Sequence, residues 1–139
     1  MSTEQNKAAA RLLIEKGFNQ KDLTAFDAYF SPRLKDHALP PGLPEGLEGR
    51  KMFASVLFAA FPDMHFRIED MFTEGDKLVA RWSAHGTHTG ELMGIPPTGK
   101  KVSIGGIAID HFENGQSVEL WEIFDQLGLM QQLGVIPMS

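Results

Sequence analysis

The sequence predicts an α+β fold, with helices first and a curved antiparallel β-sheet after them, the helices wrapping the sheet and its concave face enclosing a pocket. Three observations predict it. Apolar residues recur at helical spacing up to residue 62, and they alternate with period two from residue 64 to 124. Glycines at Gly86, Gly90, Gly105 and Gly106 fall where long strands of a strongly bent sheet need bulges or turns. The chain has 139 residues, enough for one domain with a real core, and residues 1–139 are expected to form a single domain.

The elements follow in order. Ser2 and Gln5 have capping-box spacing ahead of a helix over residues 7–16, which Gly17 should stop. Asp22 suits the N-cap of a second helix, Leu23 to Phe30, in which Leu23, Phe26, Tyr29 and Phe30 share an apolar face. Ser31-Pro32 ends it. A short extended piece, Leu34 to His37, leads into a loop with Pro40, Pro41 and Pro44. A third helix begins near Gly49, runs through Met52, Phe53, Val56, Leu57 and Ala60, and stops at Phe61-Pro62-Asp63.

Strands then take over. Met64 to Thr73 sets Phe66, Ile68 and Phe72 on one face and His65, Arg67 and Glu69 on the other. A turn at residues 74–77 precedes a long strand, Leu78 to Thr89. Paired prolines make residues 93–100 a loop. A strand from Val102 to Phe112 meets the Asn114-Gly115 hairpin signal and returns as Ser117 to Phe124. Residues 125–133 can form a short helix.

Composition narrows the function. A net charge of −5 without a long basic run argues against nucleic acid as the main partner. The absence of cysteine excludes disulfides, thiolate nucleophiles and Cys-ligated metals. The first residues lack the apolar stretch of a signal peptide, and no apolar run approaches the ~20 residues needed to cross a bilayer, so a soluble, cytoplasmic protein is expected. Gly-x-Ser-x-Gly, Gly-x-Gly-x-x-Gly and Walker A patterns are absent as well.

The candidate chemistry lies in Glu119 to Asp125. As a strand, this segment carries Glu119, Trp121 and Asp125 on one face. Carboxylates on an inner face must be paired, hydrogen-bonded or protonated, and a cavity doing proton chemistry needs such groups. Asp125 is either the N-cap of the last helix or a general acid/base whose basicity an apolar pocket raises. His37 is either an exposed loop residue or a pocket-mouth group that binds a carbonyl or shuttles a proton. Arg81 shares a face with Ser83 and His85. It points either inward, to pair with Glu119 or Asp125, or outward into a surface ladder, and alternation alone leaves both open. A bulge near Gly86 leaves the direction of His88 equally open. His85 and His88, spaced i, i+3, fall on opposite faces of a regular strand, which disfavours a zinc pair.

Several stretches carry a resemblance to a known family. They are Asp36-His37, Phe61-Pro62-Asp63, Ile68-Glu69-Asp70, residues 74–77, Arg81-Trp82 and Gly86 to Gly90 (Gly-Thr-His-Thr-Gly). Gly94 to Gly99 (Gly-Ile-Pro-Pro-Thr-Gly) and Trp121 to Asp125 running into residues 126–134 complete the set. Together, in order and across nearly the whole chain, they resemble the SnoaL-like polyketide cyclases (ester cyclases) of the nuclear transport factor 2-like superfamily. The resemblance implies an α+β cone with a deep pocket, and ring closure by intramolecular aldol condensation without metal or cofactor. It also implies a catalytic aspartate in the region of Asp125 and favours the functional reading of His37.

The expectation is therefore a small cavity enzyme acting on an apolar, carbonyl-bearing molecule. Asp125 would move a proton α to a carbonyl, and His37, Arg81 or His88 would stabilise the oxyanion. Trp121 would stack on a flat substrate, with Glu119 beside it. An isomerase or epoxide hydrolase using the same carboxylate is one rival reading, and a non-catalytic binding or dimerisation module is another. A homodimer packed sheet to sheet is expected, with Trp82, Leu120 and Phe124 on the outer face.

Overall fold

A computed structural model describes residues 2–137. Its architecture is the expected α+β arrangement, a five-stranded curved sheet covered by helices. Ser2 and Gln5 form the reciprocal capping box at the start of α1 (Thr3–Leu12). The helix does not stop at Gly17. It continues as a wider π-helical turn, Leu13–Asn19, because Gly17 leaves the space in which Phe26 packs: a Cβ there would lie 3.1 Å from the Phe26 ring. At its end the Asn19 side chain both accepts from and donates to the Phe66 backbone, tying the helix to the sheet.

Asp22 accepts from the Thr24 backbone at the start of α2 (Thr24–Tyr29). Phe30, read above as helical, already belongs to β1 (Phe30–Asp36). The third helix, α3 (Gly46–Ala60), begins three residues earlier than Gly49. Gly49 lies against the Pro44 carbonyl, where no Cβ fits, so it packs the helix onto the proline loop instead of starting it.

The strands β2 (His65–Glu74), β3 (Lys77–Thr87), β4 (Lys101–Glu113) and β5 (Gln116–Phe124) form an antiparallel meander. The sheet as a whole is mixed, however, with order β1-β5-β4-β3-β2, because β1 runs parallel to β5. The extended piece before the proline loop is thus an edge strand of the same sheet. Finally, α4 (Gln126–Leu133) closes one end and stops at Gly134 in the left-handed conformation.

Two register shifts decide which side chains point inward. One falls between Ile68 and Asp70, so Phe66 and Ile68 line the inside while Phe72 turns outward and is exposed. The other falls at Val118: Ser117 pairs with Phe112, but Glu119 pairs with His111. That extra residue hands the inner face of β5 to Leu120, Glu122 and Phe124. Trp82, Leu120 and Phe124, expected on the outer face, are therefore inside. The exposed apolar residues of the outer face are Phe72, Ile107 and Ile123.

Two core clusters fill the space between helices and sheet. One centres on Phe26, Tyr29, Leu34, Leu78, Phe112 and Leu120, the other on Phe61, Met64, Phe66, Val102, Leu129 and Leu133. Where they meet, they leave a cavity lined by members of both.

Candidate active site

The cavity has a volume of about 550 Å³ and mostly apolar walls. Phe61, Phe66, Trp82, Ile104 and Phe124 are among them, with Leu92, Met93 and Ile95 contributed by the loop after β3. Gly106 makes the wall possible: a Cβ there would lie 2.6 Å from the Trp82 indole.

Five polar side chains interrupt this surface: Tyr29 from α2, Arg50 from α3, Asp110 from β4, Glu122 from β5 and the exposed Gln126 at the start of α4. Arg50 is nearly buried and binds Asp36, at the end of β1, through two nitrogens, Nε to Oδ2 at 2.7 Å and Nη2 to Oδ1 at 3.1 Å. The Asp36 side chain is 0% exposed and also accepts from the Ala38 backbone. The third guanidinium nitrogen, Nη1, lies 3.4 Å from Glu122 Oε1. Burial works against the arginine's charge, but its hydrogen bonds to Asp36 and the charges of Glu122, Asp36 and Asp110 outweigh it and raise its pKa.

Burial likewise pushes Glu122 above the usual glutamate value, against the pull of Arg50. The Trp82 indole N–H favours the charged form of Glu122, yet it is buried without a hydrogen bond of its own. The Glu122 side chain keeps 19% of its surface, on the cavity side, where a ligand can reach it. Asp110 is more deeply placed. Burial raises it to about 7, although the hydrogen bond from Ser117 and the nearby Tyr29 hydroxyl oppose the shift. The fully buried Ser117 donates to Asp110 Oδ1 at 2.6 Å.

The raised Asp110 value is also a statement about stability. Between about pH 4 and 7 the folded chain holds a proton on Asp110 that the unfolded chain has lost, so stability is greatest below that window and falls as pH rises through it. The loss is on the order of 4 kcal/mol at most. Glu122 shifts in the same direction, while the exposed Asp22 and Asp63 and the half-buried Glu119 are lowered and act oppositely. An Asp110→Asn variant should show a flatter dependence of unfolding free energy on pH from 4 to 7, measured by urea denaturation. An unchanged slope would mean that Asp110 titrates normally.

The residues nominated from the sequence lie elsewhere. Asp125 is exposed and caps α4, accepting from the Gly128 backbone at 2.9 Å. It is the structural alternative that the geometry realises, and Asp125 does not line the cavity. His37, Glu119 and Trp121 are brought together, but on the outer face. His37 Nε2 lies 2.6 Å from Glu119 Oε2, its ring stacks on Trp121 at 5.1 Å, and Lys77 sits over the same indole. Arg81 points outward and pairs with Asp70 at 2.6 Å, the surface-ladder alternative. His88 is completely buried behind the loop, where Nδ1 accepts from the Thr98 backbone. Its ring packs against Phe61 rather than lining the cavity. Among the described residues no three His, Asp or Glu side chains converge as a metal site.

Sequence reasoning missed Tyr29, Asp36, Arg50, Asp110 and Glu122 as site residues. Two signals could have found some of them. Arg50 shares the apolar face of α3 with Phe53, Ala54 and Leu57, a costly place for a charge without a partner. Asp110 interrupts the apolar run Ile107-Ala-Ile in the same way.

The chain resembles proteins already described. The model of the SnoaL-like polyketide cyclase family matches residues 8–133. TsrD from Streptomyces laurentii is 27% identical, with a TM-score of 0.90 over 98% of this chain and 99% of that one. A candidate polyketide cyclase from Bacillus cereus is 32% identical, with a TM-score of 0.83 over 98% and 87% of the respective chains. IdmH from Streptomyces antibioticus, also described as a candidate polyketide cyclase, is 32% identical, with a TM-score of 0.81 over 94% and 99%. No curated protein matches the chain.

Proposed function

Because this chain belongs to the SnoaL-like polyketide cyclase family, we propose that it is an acid–base enzyme that closes a ring in an apolar carbonyl compound, with Glu122 as the base. The family supports a cyclase- or isomerase-type function. The observation that carries the finer reading is one carboxylate of raised pKa, held near Arg50 and open to an apolar cavity. A carboxylate in water is a weak base toward carbon acids, and burial strengthens it. A cavity of about 550 Å³ lies within the usual range for small-molecule sites, ~300–1,000 Å³. Trp82 and Phe124 offer flat surfaces against which a planar substrate can lie.

In the proposed reaction, Glu122 takes a proton from the carbon α to a ketone, and the electron pair of that C–H bond moves into an enolate. The enolate carbon attacks a second carbonyl carbon of the same molecule. A C–C bond forms, and the π pair of that carbonyl becomes an alkoxide. The alkoxide takes the proton back from Glu122. Atoms and charge balance, and no external reactant enters. Arg50, fixed by Asp36, orients Glu122 and keeps its charged form accessible. The role first given to Asp125 thus passes to Glu122.

A substrate-independent assay tests this reading. Exchange of α-hydrogen for deuterium in β-keto esters and small polycyclic ketones, followed by NMR in D2O, should be accelerated by the protein. Failure of every such ketone to exchange faster than in buffer would count against the proposal.

Self-association belongs to the same proposal, on different residues from those first expected. Ile107 and Ile123 are cross-strand partners on the outer face, and Ile123 is 79% exposed. A second copy packed against this face would cover them. Sedimentation velocity at micromolar concentration should show a dimer that Ile123→Glu dissociates, whereas a monomeric wild type would refute it.

A further inference from the structure

The proposed base accounts for Glu122 and Arg50 but leaves the most deeply placed polar groups of the cavity, Tyr29 and Asp110, without a role. We propose that Tyr29 and Asp110 together form a two-donor seat for the substrate's carbonyl oxygen, so that the cavity selects molecules that can place a ketone or enol oxygen there. This inference rests on the reading of the cavity as a carbonyl-compound site.

The geometry supports it in three ways. Both residues line the cavity and come from opposite layers, Tyr29 from the helical side and Asp110 from the sheet. Both are held rigidly. The Tyr29 ring is wedged edge-on between Phe30 at 4.8 Å and Phe112 at 5.4 Å, and Asp110 is anchored through Oδ1 by the buried Ser117. Ser117 is the side chain that meets the hydrogen-bond distance to the Asp110 carboxyl, and it takes Oδ1, which leaves Oδ2 and the nearby Tyr29 hydroxyl for a ligand.

The protonation states fit a donating role. Burial and the nearby Asp110 hold the Tyr29 hydroxyl well above its ordinary pKa, so it stays protonated. Burial raises Asp110 to about 7, helped by the charge of Glu122 and opposed by Ser117, Tyr29 and Arg50. An apolar ligand that displaces water raises it further. A carboxyl kept neutral by its surroundings can donate a hydrogen bond at neutral pH. Such donors, fixed before the reaction, stabilise negative charge as it develops on the oxygen. Glu122 and the seat would then divide the work: the carboxylate takes the proton, and the two hydroxyl groups hold the oxygen that receives the charge.

A purely structural Tyr–Asp–Ser network would stiffen the core without discriminating between ligands. Two near-isosteric probes separate the alternatives: 2-naphthol, which presents an enol-like hydroxyl, and 2-methylnaphthalene, which does not. Binding is followed by calorimetry and by quenching of tryptophan fluorescence at pH 6. The wild type should prefer 2-naphthol by about 10-fold or more, the scale of one to two hydrogen bonds. Tyr29→Phe, which keeps the ring packing, should erase most of that preference and leave 2-methylnaphthalene affinity within about 2-fold. Asp110→Asn, which can still donate, should retain part of it, and Asp110→Leu should lose it. Glu122→Gln should keep the preference while losing α-hydrogen exchange, so failure of the seat and failure of the base are distinguishable. Equal wild-type affinity for both probes, or a preference that survives Tyr29→Phe, would overturn the seat. Binding of neither probe would overturn it together with the reading of the cavity.

Discussion

Replacing Glu122 with glutamine should slow α-hydrogen exchange and turnover by about 10³-fold, within the range usual for loss of a general base. The substitution keeps the shape and a hydrogen-bond acceptor for Arg50 Nη1, so the fold should persist. It removes the negative charge that accepts the proton. In the wild type, activity depends on the ionised form of Glu122. The rate should therefore rise with pH through an apparent pKa above the ordinary glutamate value, and the rise should be missing from the variant's residual activity. Asp125→Asn is the informative contrast. Asparagine caps helices about as well as aspartate, so both stability and exchange should stay near wild type. A Glu122→Gln protein as active as wild type, or an Asp125→Asn protein without activity, would return the base to the position first read from the sequence.

The second large effect concerns stability. Arg50→Met removes the partner of a carboxylate that has no exposed surface, and it leaves Glu122 without its nearest positive charge. Removing one member of a buried ion pair costs about 3–5 kcal/mol, because the remaining charge stays desolvated. The melting temperature should fall by at least several degrees, at a few degrees per kcal/mol for a chain of this size. The double variant Arg50→Met/Asp36→Leu should recover part of the loss, since it removes the orphaned Asp36 carboxylate but still leaves Glu122 without its cation and the Ala38 N–H without its acceptor. Urea and thermal denaturation of the four proteins in this cycle provide the check. A single variant within about 1 kcal/mol of wild type would show the pair to be solvated like a surface bridge.

The fold was largely legible because its signals are local and repeated. The capping box at Ser2, the turn at residues 74–77 and the Asn114-Gly115 hairpin are each set by residues adjacent in sequence. The family resemblance carried the cone. What the sequence concealed was orientation. Counting by twos from Ser117, which does point inward, places Glu119, Trp121 and Ile123 inside as well. The residue inserted at Val118 breaks that count, and Glu122 takes the inner place. A bulge leaves no residue-type signature at Val118, because what sets it is the fit of β5 to β4. Arg50 was hidden for another reason: its partners lie 14 and 72 residues away, so no local pattern announces the pair.

The inserted residue also bears on how such a cavity could diversify. The two faces of β5 carry two complete and different sets of side chains: Leu120, Glu122 and Phe124 inward, and Glu119, Trp121 and Ile123 outward. A point substitution changes one wall position at a time. A change of one residue in hairpin length that reset the pairing with β4 would exchange the whole set at once, bringing Glu119 opposite Asp110 and turning Glu122 to solvent. In a lineage built on this sheet, insertions and deletions near the Asn114-Gly115 turn would therefore act as wholesale changes of chemistry. Comparing hairpin lengths among relatives would say more about divergence of activity than comparing the identity of any single residue in the strand.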